Sequence, residues 1–564
     1  MARPLPQCVD TLVIGNGPSA LILSYILHGN IPYYRKETRR HHDPILDQKL
    51  QKSDNLLRLT PDLYAHFLAS LRYSTQALPV NTLLDTLIRP NADTEINPTS
   101  CVEWRYEPEK AIPHVVIGDT PQPGGQWAET PVSASDAIGT LSYAEQLSLP
   151  GYSYADHLAT KQISDECDFV RPTRSEVADY LCAYPKAVGI SDTIYTNTRA
   201  DNLYRDESGF VVGSLGIRCR HLVLASGIFT VNIPPPPLLE PVTRLDAPSK
   251  PLLVIGSGFS AADAIISAPL DRKVIHIYHW APETRPSPLR SCHHSAYPEY
   301  AAIYRQMKLA AISDHKKAST NSSLRRRKST APSSQRNWSS FYKGLPNARV
   351  IDVSLSDSAG SAIATIRLAS GDETKCEVGG LAYVVGRRGT LDFLSAALRS
   401  EIMDLQSVTS TTDLSPPPTL ISGRTLRGKA EASLEVAKHV FIIGSLAGDS
   451  LIRHAVGGCV FTAGRIMHVI PTTYSPPSTV PTSPMSTSRS ISPPPDSERS
   501  SESSPTSGIE DGHRVIANGH EDLHLDRRKL ARAVEVASAE NKFWVCSGWW
   551  AGGLGPGSLA DVDS

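Results

Sequence analysis

The sequence predicts an α/β fold with two Rossmann-like dinucleotide-binding domains, because one strand–turn–helix pattern occurs in it twice. In the first copy, a short apolar strand at 12–14 leads into Gly-Asn-Gly-Pro-Ser-Ala at 15–20 and then into an apolar helix. In the second copy, about 240 residues later, a strand at 252–255 leads into Gly-Ser-Gly-Phe-Ser-Ala at 256–261 and another helix. A length of 564 residues also indicates more than one domain.

Each residue type in the first turn has a structural role in binding a pyrophosphate. Gly15 makes the tight turn, Gly17 lets the backbone approach the phosphates, and the small Ala20 lets helix and strand pack closely. The phosphates then lie at a helix N-terminus, where free N–H groups and the helix dipole favour anions. Two copies indicate two sites, a layout typical of flavin enzymes that a nicotinamide nucleotide reduces; the alternative is one true site and one coincidental match. The corresponding residues of the second copy are Gly256, Gly258 and Ala261.

The composition narrows the class of protein and the compartment. A formal net charge of −1 and a pI near 7.0 leave no basic footprint for a nucleic-acid partner. No apolar run approaches the roughly 18 residues that span a bilayer, and residues 1–10 lead directly into the first strand, so neither a transmembrane segment nor a signal peptide is expected. The nine cysteines are scattered without a CxxC pair, which indicates reduced thiols in the cytoplasm. The missing pair argues against a flavin disulfide reductase, since that class needs a redox dithiol.

Two further stretches of the first domain predict contacts with a ligand. Residues 31–37 are interpreted as its second strand, and Glu37 at the end lies at a suitable distance from the first turn to accept hydrogen bonds from a ribose hydroxyl. An exposed acid among neighbouring arginines is the alternative. After an insertion at 45–110, a strand at 111–118 leads into a Gly-Gly-x-Trp motif, whose paired glycines either let backbone pass close to a planar ligand beside the indole or form a simple turn. The residues of that motif are Gly124, Gly125 and Trp127.

A strand at 439–449 ends in Gly448 and Asp449, directly before a predicted helix. In flavin-binding folds this arrangement lets the aspartate accept from the ribityl chain, while the helix directs its N-terminus towards the isoalloxazine. The alternative is that Asp449 caps the helix. A basic stretch at 313–340 and a Ser/Pro/Thr-rich stretch after 470 are too hydrophilic to build a core and are predicted to be disordered.

These features predict a first domain that is split around an inserted second domain. A strand at 381–387 is expected to return the chain to the first domain. Because no cluster with metal-ligand spacing and no Ser-His-Asp set is evident, no metal site is expected and the catalytic residues stay unknown. The predicted order is 1–247 (first domain, first part), 248–380 (second domain, with the loop at 313–340), 381–470 (first domain, second part) and 471–564 (disordered region and tail).

Taken together, these motifs resemble those of the oxidative-stress-induced growth inhibitor family. Its members look like distant relatives of flavin-containing monooxygenases. The resemblance extends over roughly 10–470, apart from the loop at 313–340, and leaves out the Ser/Pro-rich segment and the tail. One departure is that about 85 residues separate the predicted second strand from the Gly-Gly-x-Trp motif, where flavin monooxygenases have a short link. The stretches that carry the resemblance are 13–19, 111–118, 123–127, 254–264, 297–300 (Tyr-Pro-Glu-Tyr) and 446–449 (Leu-Ala-Gly-Asp).

The resemblance implies FAD in the first domain and NADPH in the second. The end of the second strand of that second domain, at 278–280, carries no acid to hold a free 2′-hydroxyl, whereas Arg285 and Arg290 follow within reach of a 2′-phosphate. The residues expected to bind the two cofactors are Gly15, Gly17, Pro18, Ser19, Ala20, Glu37, Gly124, Gly125, Trp127, Gly256, Gly258, Ser260, Ala261, Arg285, Gly448 and Asp449.

The reaction that the resemblance implies is that of a monooxygenase, an oxidoreductase. NADPH reduces FAD, the reduced flavin takes up O₂, and the resulting flavin C4a-(hydro)peroxide transfers one oxygen atom to a small substrate. The main alternative is a non-catalytic or redox-sensing flavoprotein that regulates growth and the stress response through protein partners, with the 313–340 loop and the tail as contact segments. A simple reductase or NADPH oxidase is a third alternative.

Overall fold

The computed structural model describes residues 3–37, 40–58, 77–90, 99–130, 134–162, 170–318, 337–356, 360–403 and 419–468. Two sheets built mainly of parallel strands dominate these ranges, and in each sheet one of the two glycine-rich turns follows a strand of the sheet interior. The predicted α/β class with two Rossmann-like folds is therefore confirmed.

The elements of the described ranges follow in chain order. The strands are β1 (Cys8–Ile14), β2 (Asn30–Tyr34), β3 (Val102–Tyr106), β4 (His114–Ile117), β5 (Ile194–Tyr195), β6 (Leu203–Asp206), β7 (Gly209–Val212), β8 (Ile217–Leu224), β9 (Val231–Asn232), β10 (Leu252–Ile255), β11 (Val274–Tyr278), β12 (Tyr342–Pro346), β13 (Arg349–Leu355), β14 (Ala362–Arg367), β15 (Glu373–Val378), β16 (Gly380–Tyr383), β17 (Arg387–Thr390), β18 (Leu420–Ile421), β19 (Glu435–Ala437) and β20 (Val440–Ile442). The α-helices are α1 (Pro18–Leu27), α2 (Pro44–Gln51), α3 (Pro79–Ile88), α4 (Ala144–Leu147), α5 (Tyr154–Thr160), α6 (Arg174–Ala187), α7 (Glu240–Thr243), α8 (Phe259–Ser267), α9 (Pro298–Ala318), α10 (Trp338–Phe341), α11 (Ala396–Met403), α12 (Arg427–Ala432) and α13 (Val456–His468).

The first sheet is built on β1, whose apolar end is buried, as a strand covered on both faces requires. β1 lies parallel between β4 and β8, so that Val13 pairs with Val116 on one side and with Val223 on the other. The strand order is β19-β20-β8-β1-β4-β5, and the hairpin of β6 and β7 extends the sheet beside β8. Helix α1 follows β1 through the first glycine turn and buries most of its side chains.

The second sheet repeats this plan on β10, in the order β12-β11-β10-β16 with all strands parallel. An antiparallel sheet of β13, β14 and β15 shares a hydrophobic core with this second sheet. The core contains Ile366 of β14 and Ile277 of β11. Because β16 pairs with β10, the chain is still in this sheet at Tyr383, and the predicted domain boundary at 380 is wrong. The short apolar strand at that point suits either sheet equally, so its pattern did not reveal its partner.

Two short strands carry the chain between the sheets. β9 leads away from the first sheet and β17 leads back, and the two pair antiparallel through Arg387 with Asn232 and Arg388 with Val231. We call the part built on the first sheet the first lobe (residues 3–232 and 387–468) and the part built on the second sheet the second lobe (residues 233–386). The second lobe is thus inserted between two parts of the first.

The stretch predicted as the second strand of the first sheet lies elsewhere. β2 pairs antiparallel with β3 in a separate two-stranded sheet, and the strand beside β1 is β4. Pro32 in β2 has no N–H group to donate, which excludes it from the middle of a sheet. All of β4 is buried, as that position requires. A strand does form in the stretch predicted at 31–37, but its predicted place in the first sheet is wrong.

The stretch predicted as a disordered loop at 313–340 is partly helical. α9 continues through residues 313–318, where lysine and alanine favour a helix, and α10 covers residues 338–341. Residues 319–336 and the region at 471–564 lie outside the described residues. Among the described helices, none is long and apolar enough to cross a membrane.

The insertion at 45–110 packs against the last helix of the first lobe. An added Cβ at Gly457 of α13 would lie 2.2 Å from the carbonyl oxygen of Val80, which shows how closely α3 and α13 approach. The buried Asp85 of α3 also accepts from Nε of Arg453 at 2.9 Å. Close helix packing and a buried ion pair therefore make the described part of the insertion a section of the first lobe's core.

The contact between the two helices can be tested at neighbouring glycines. Gly457→Ala should lower the free energy of unfolding by about 1–3 kcal/mol, because its methyl group meets a backbone carbonyl in a packed contact. Gly458→Ala is the matched control, since its Cβ would have its nearest neighbours at 3.5 Å and alanine favours a helix by up to about 1 kcal/mol. Urea unfolding measures both variants. Equal stabilities would show that α3 does not lie so close to α13.

Candidate functional site

A cavity of about 630 Å³ opens at the carboxyl edge of the first sheet, where β1, β4, β8 and β20 end. Ligands of open α/β sheets bind at this edge, beside the strand at which the strand order reverses. The turns after these strands form most of its wall. The segments that contribute residues to the wall lie at 14–19, 117–130, 198–200, 225–231, 390–393 and 443–455.

The first glycine turn has the geometry of an anion cradle. Gly15 has a φ of +112°, and an added Cβ would lie 2.4 Å from the carbonyl oxygen of Ala225, so only glycine fits. Gly17 lines the cavity, and no atom lies within 4 Å of its Cβ position. α1 begins after Gly17 without a capping side chain, which leaves the N–H groups of its first turn for a ligand.

The Gly-Gly-x-Trp turn packs against the first glycine turn. Gly125 has a φ of +57°, and its Cβ position lies 3.1 Å from Cα of Gly17, so the two backbones are in contact. Asn16 is buried between the turns: its carbonyl accepts from the N–H of Gly124 at 2.9 Å, and its Oδ1 accepts from Oγ1 of Thr120 at 2.9 Å. Sequence reasoning missed Asn16, because the motif leaves the position between its first two glycines open.

Two buried polar atoms on the cavity wall have no hydrogen-bond partner within the described residues. They are Nε2 of Gln126 and Oγ of Ser226. A buried polar group without a partner is unfavourable by roughly 1–3 kcal/mol, which indicates that a polar ligand completes both. Together with the cradle, the open space at Gly17 and the indole of Trp127 on the wall, the residues present fit the FAD that the resemblance implies.

The structure corrects the acid that was assigned to the ribose. Glu37 is exposed after β2 and does not line the cavity. Asp119 follows β4, the parallel neighbour of β1, and lines the cavity with an exposed side chain. The spacing rule selected the wrong acid because the insertion at 45–110 separates α1 from the strand that lies beside β1.

Asp449 is buried on the cavity wall, but protein groups occupy its carboxylate. Its Oδ2 accepts from the N–H of Leu78 at 2.8 Å and from Nδ2 of Asn81 at 2.6 Å, and its Oδ1 accepts from Nη1 of Arg427 at 2.7 Å. Oδ1 of Asn81 accepts in turn from the N–H of Gly458 in α13, at 2.6 Å. These bonds join the insertion to the C-terminal part of the wall, and a helix cap by Asp449 is not among them. The contact with a ribityl chain stays a prediction.

A second cavity, of about 850 Å³, opens at the carboxyl edge of the second sheet. Gly256 has a φ of +153°, and an added Cβ would lie 2.5 Å from the carbonyl oxygen of Val384, as at the first turn. The nearest atom to the Cβ position of Gly258 is Cγ of Pro288 at 3.9 Å, and α8 begins after Gly258 without a capping side chain. The chain therefore forms the same cradle twice.

The two cavities differ in charge. The described wall of the first cavity has four carboxylates and one arginine, whereas that of the second has four arginines, one histidine and no acid. The wall of the first cavity is therefore acidic and that of the second is basic. The residues concerned are Asp119, Glu129, Asp392, Asp449 and Arg199 in the first cavity and Arg285, Arg349, Arg387, Arg388 and His279 in the second.

The cavities meet at Phe229, which lines both. The guanidinium of Arg387 stacks over the Phe229 ring, 5.0 Å from its centroid. Burial lowers the pKa of Arg387 to about 10, against the opposite effect of the Asp263 carboxylate, so Arg387 stays charged at neutral pH. Ligands of the two cavities can approach each other at this point.

Most of the residues predicted to bind cofactors line one of the two cavities. Ala20 and Ala261 are instead buried behind the turns, where the small residue of the motif lets helix and strand pack. Gly448 does not line the cavity; it has a φ of +98°, and its Cβ would meet the side chain of Arg427 at 2.8 Å. The predicted residues on the walls are Gly15, Gly17, Pro18, Ser19, Gly124, Gly125, Trp127, Gly256, Gly258, Ser260, Arg285 and Asp449.

The basic side chains of the second cavity were predicted only in part. Arg285 lines the cavity, but Arg290 does not, and its Nη1 donates to the carbonyl of Pro282 at 2.9 Å. Arg349, at the start of β13, takes a place on the wall that no local pattern indicates. Contact of these residues with a nucleotide stays a prediction.

Curated relatives confirm the resemblance. The chain is 29% identical over 352 residues to oxidative stress-induced growth inhibitor 2 of Homo sapiens, and the matched region covers 52% of this chain and 68% of that protein. It is also 29% identical over 350 residues to oxidative stress-induced growth inhibitor 1 of Homo sapiens, and here the matched region covers 55% of this chain and 70% of that protein. No family model matches the chain.

Solved structures with a similar fold come from two classes of flavoprotein. One is a bacillithiol disulfide reductase from Staphylococcus aureus, with 13% identity, a TM-score of 0.41 and coverage of 82% of this chain and 99% of that one. Another is a flavin-containing monooxygenase from Stenotrophomonas maltophilia, with 13% identity, a TM-score of 0.41 and coverage of 82% and 98%. Similarities of this size do not distinguish the two reaction classes.

The first cradle can be tested at Gly17. Gly17→Val should give a folded protein without the ligand of the first cavity, because no protein atom lies within 4 Å of the Cβ position and the side chain enters the space that phosphates need. Flavin absorbance per chain and far-UV circular dichroism measure occupancy and folding. Gly15→Val is the contrasting variant and should destabilise the fold, since its side chain meets the Ala225 carbonyl. Full flavin content in a folded Gly17→Val protein would contradict the assignment.

Proposed function

We propose that this protein is an NADPH-dependent flavoprotein monooxygenase, with FAD in the first cavity and NADPH in the second. The observation that carries the proposal is the pair of glycine cradles, whose surroundings differ in charge and whose cavities meet at Phe229. The similarity to the oxidative stress-induced growth inhibitors supports it from the sequence.

The charges around the cradles distinguish the two nucleotides. Both carry a pyrophosphate, so the cradles themselves do not. FAD has a free ribose 2′-hydroxyl that donates to a carboxylate, whereas NADPH has a 2′-phosphate that carboxylates repel and arginines bind. Asp119 therefore favours FAD in the first cavity, and Arg285 and Arg349 favour NADPH in the second.

The residues of the chain would bind and shield the cofactors. Bound FAD supplies the redox chemistry. The N–H groups at the start of α1 would hold its pyrophosphate, and Gln126 and Ser226 would pair with its polar atoms. Apolar residues of the first cavity, among them Phe393 and Leu451, would limit the access of water.

A monooxygenase is favoured over a disulfide reductase because, among the described residues, no thiol lines either cavity: none of the seven cysteines in that part of the chain is on a cavity wall. Sγ of Cys459 donates to the carbonyl of Ser19 at 3.2 Å, and burial raises the pKa of this thiol, which disfavours the reactive thiolate. Without a redox dithiol, we propose dioxygen as the electron acceptor.

Anaerobic reduction by NADPH, followed by admission of air, tests the proposal. We expect NADPH to bleach the bound flavin, and the oxidised spectrum to return through a transient species before H₂O₂ is released. Immediate release of H₂O₂ without that transient would identify an oxidase or a reductase. A flavin that dithionite reduces but NADPH does not would support the redox-sensing regulator instead.

The preference for NADPH can be tested at Arg349. Arg349→Ala should raise the Kd of NADP⁺ about tenfold, which corresponds to about 1.4 kcal/mol, and should leave the Kd of NAD⁺ unchanged, because only NADP⁺ carries the 2′-phosphate. Arg290→Ala is the control, since its exposed guanidinium is held by the Pro282 carbonyl away from the wall. Titration calorimetry measures both affinities. Equal losses for the two nucleotides, or in the two variants, would refute this role of Arg349.

A further inference from the structure

The Tyr-Pro-Glu-Tyr motif at 297–300 belongs to the resemblance but to neither cavity. It lies at the start of α9 in the second lobe. A segment of the first lobe, at 134–143 and 170–174, lies against it. Arg171 of this segment is the centre of the contact.

Arg171 uses its guanidinium on both lobes at once. Its Nε and Nη2 donate to the carbonyls of Thr140 at 2.7 Å and Gly139 at 3.1 Å, in its own lobe. Its Nη1 donates to the carbonyl of Ala296 at 2.7 Å and its Nη2 to Oε1 of Glu299 at 2.6 Å, in the second lobe. The Arg171 side chain is only 13% exposed, so solvent screens this ion pair less than it screens a surface pair.

Tyr297 completes the contact. Its ring lies against the Arg171 guanidinium, with 4.5 Å to the ring centroid, and its hydroxyl donates to the carbonyl of Leu141 at 2.8 Å. Ile138 and Leu141 of the first lobe also pack against a hydrophobic core of the second lobe. We call Arg171, Tyr297 and Glu299 the interlobe clamp.

Tyr300 connects the clamp to the two cavities. Its hydroxyl donates to Oδ1 of the largely buried Asp263 at 2.8 Å. The charges of Arg174 and Arg387 act on that carboxyl group. Nη1 of Arg174 donates to the carbonyl of Trp127, on the wall of the first cavity, at 3.5 Å, and Arg387 lies on the wall of the second. Through the hydrogen bond of Tyr300 to Asp263, the motif is thus linked to charged groups that border both cavities.

The covalent link between the lobes is narrow. β9 and β17 pair through only two residue pairs, and Gly386, directly before β17, has a φ of +137°. So short a crossing does not by itself fix the rotation of one lobe against the other. Hydride transfer needs its two reacting atoms about 3–3.5 Å apart, and a misplacement of about 1 Å lowers the rate about 100-fold.

We propose that Arg171 is a positioning residue, and that the interlobe clamp holds the second lobe in the orientation in which a nicotinamide in the second cavity reaches the flavin in the first. The inference rests on the proposed function. It gives the Tyr-Pro-Glu-Tyr motif a role in the geometry of hydride transfer, separate from the binding of either nucleotide.

Two arginine variants separate this role from general stability. Arg171→Met keeps the aliphatic stem and removes the guanidinium bonds, and Arg205→Met is the matched control. Arg205 also pairs with a glutamate, Glu401 at 2.9 Å, donates to a carbonyl, that of Lys438 at 2.8 Å, and stacks over an aromatic ring, that of Phe210 at 4.6 Å. All of these partners lie in the first lobe, so the control loses the same kinds of contact without affecting the clamp.

In anaerobic stopped flow at saturating NADPH, flavin reduction should be at least about tenfold slower in Arg171→Met than in wild type. FAD content, reduction by dithionite and the Kd of NADP⁺ should not change. Hydrogen–deuterium exchange should become faster at Ser135, whose N–H donates to Oγ of Ser267 across the lobes at 2.7 Å, and at Ile233, whose N–H donates to the carbonyl of Gly386 at 3.2 Å. Arg205→Met should show neither change.

Unchanged reduction and unchanged exchange in Arg171→Met would overturn the inference. An equal loss in the rate of flavin reduction in Arg205→Met would also overturn it, and so would a higher Kd of NADP⁺ in Arg171→Met. Either result would indicate a general effect on the fold. If Arg171→Met does not fold, Glu299→Gln, which removes only the charge, replaces it with the same expectations. A wild-type protein that NADPH does not reduce would refute the proposed function alone, and the exchange measurement then decides about the clamp.

Discussion

Two helix N-termini without capping side chains are the constraint on which the rest of the structure depends. α1 and α8 each begin after a glycine, at the carboxyl edge of a parallel sheet and beside a cavity. Free N–H groups at the positive end of a helix need an anion or water as a partner. The carbonyls of Ala225 and Val384 leave no space for a side chain at Gly15 and Gly256, so the neighbouring strands hold each turn in the shape that an anion requires.

The difference between the two cradles comes from residues far away along the chain. Asp119 reaches the first cavity because β4 lies beside β1, and Arg349 reaches the second because β13 follows β12 at the edge of that sheet. The insertion contributes to the first cavity as well, since Asn81 binds both Asp449 and the first turn of α13. Two cradles of the same kind are therefore surrounded by different charges, which come from the segments that the fold brings to them.

The sequence allowed prediction of those parts of the fold and the site that depend on continuous stretches. β1 with α1 and β10 with α8 combine an apolar run with a turn whose glycines have one physical role, and both pairs are confirmed. The strand beside β1 was not predicted, because the insertion moves it away along the chain, although Pro32 marked β2 as unsuitable for that place. Asn16 contacts a distant segment, Arg349 lines a cavity with residues far from it in the chain, and Asp449 is bound by groups of the insertion, so no local pattern could reveal where these side chains lie.

A charged cluster adds a second link between the lobes. Burial raises the pKa of Asp263 to about 6, although the hydrogen bond from Tyr300 and the charges of Arg387 and Arg174 oppose that change. Because this value lies above the usual 3.8, ionisation of Asp263 lowers the stability of the fold as the pH rises towards neutral. At neutral pH the charge of the Asp263 carboxylate, in the second lobe, attracts the guanidinium of Arg387 on the wall of the second cavity and that of Arg174 beside Trp127 in the first. This attraction acts between the same two lobes that the interlobe clamp joins.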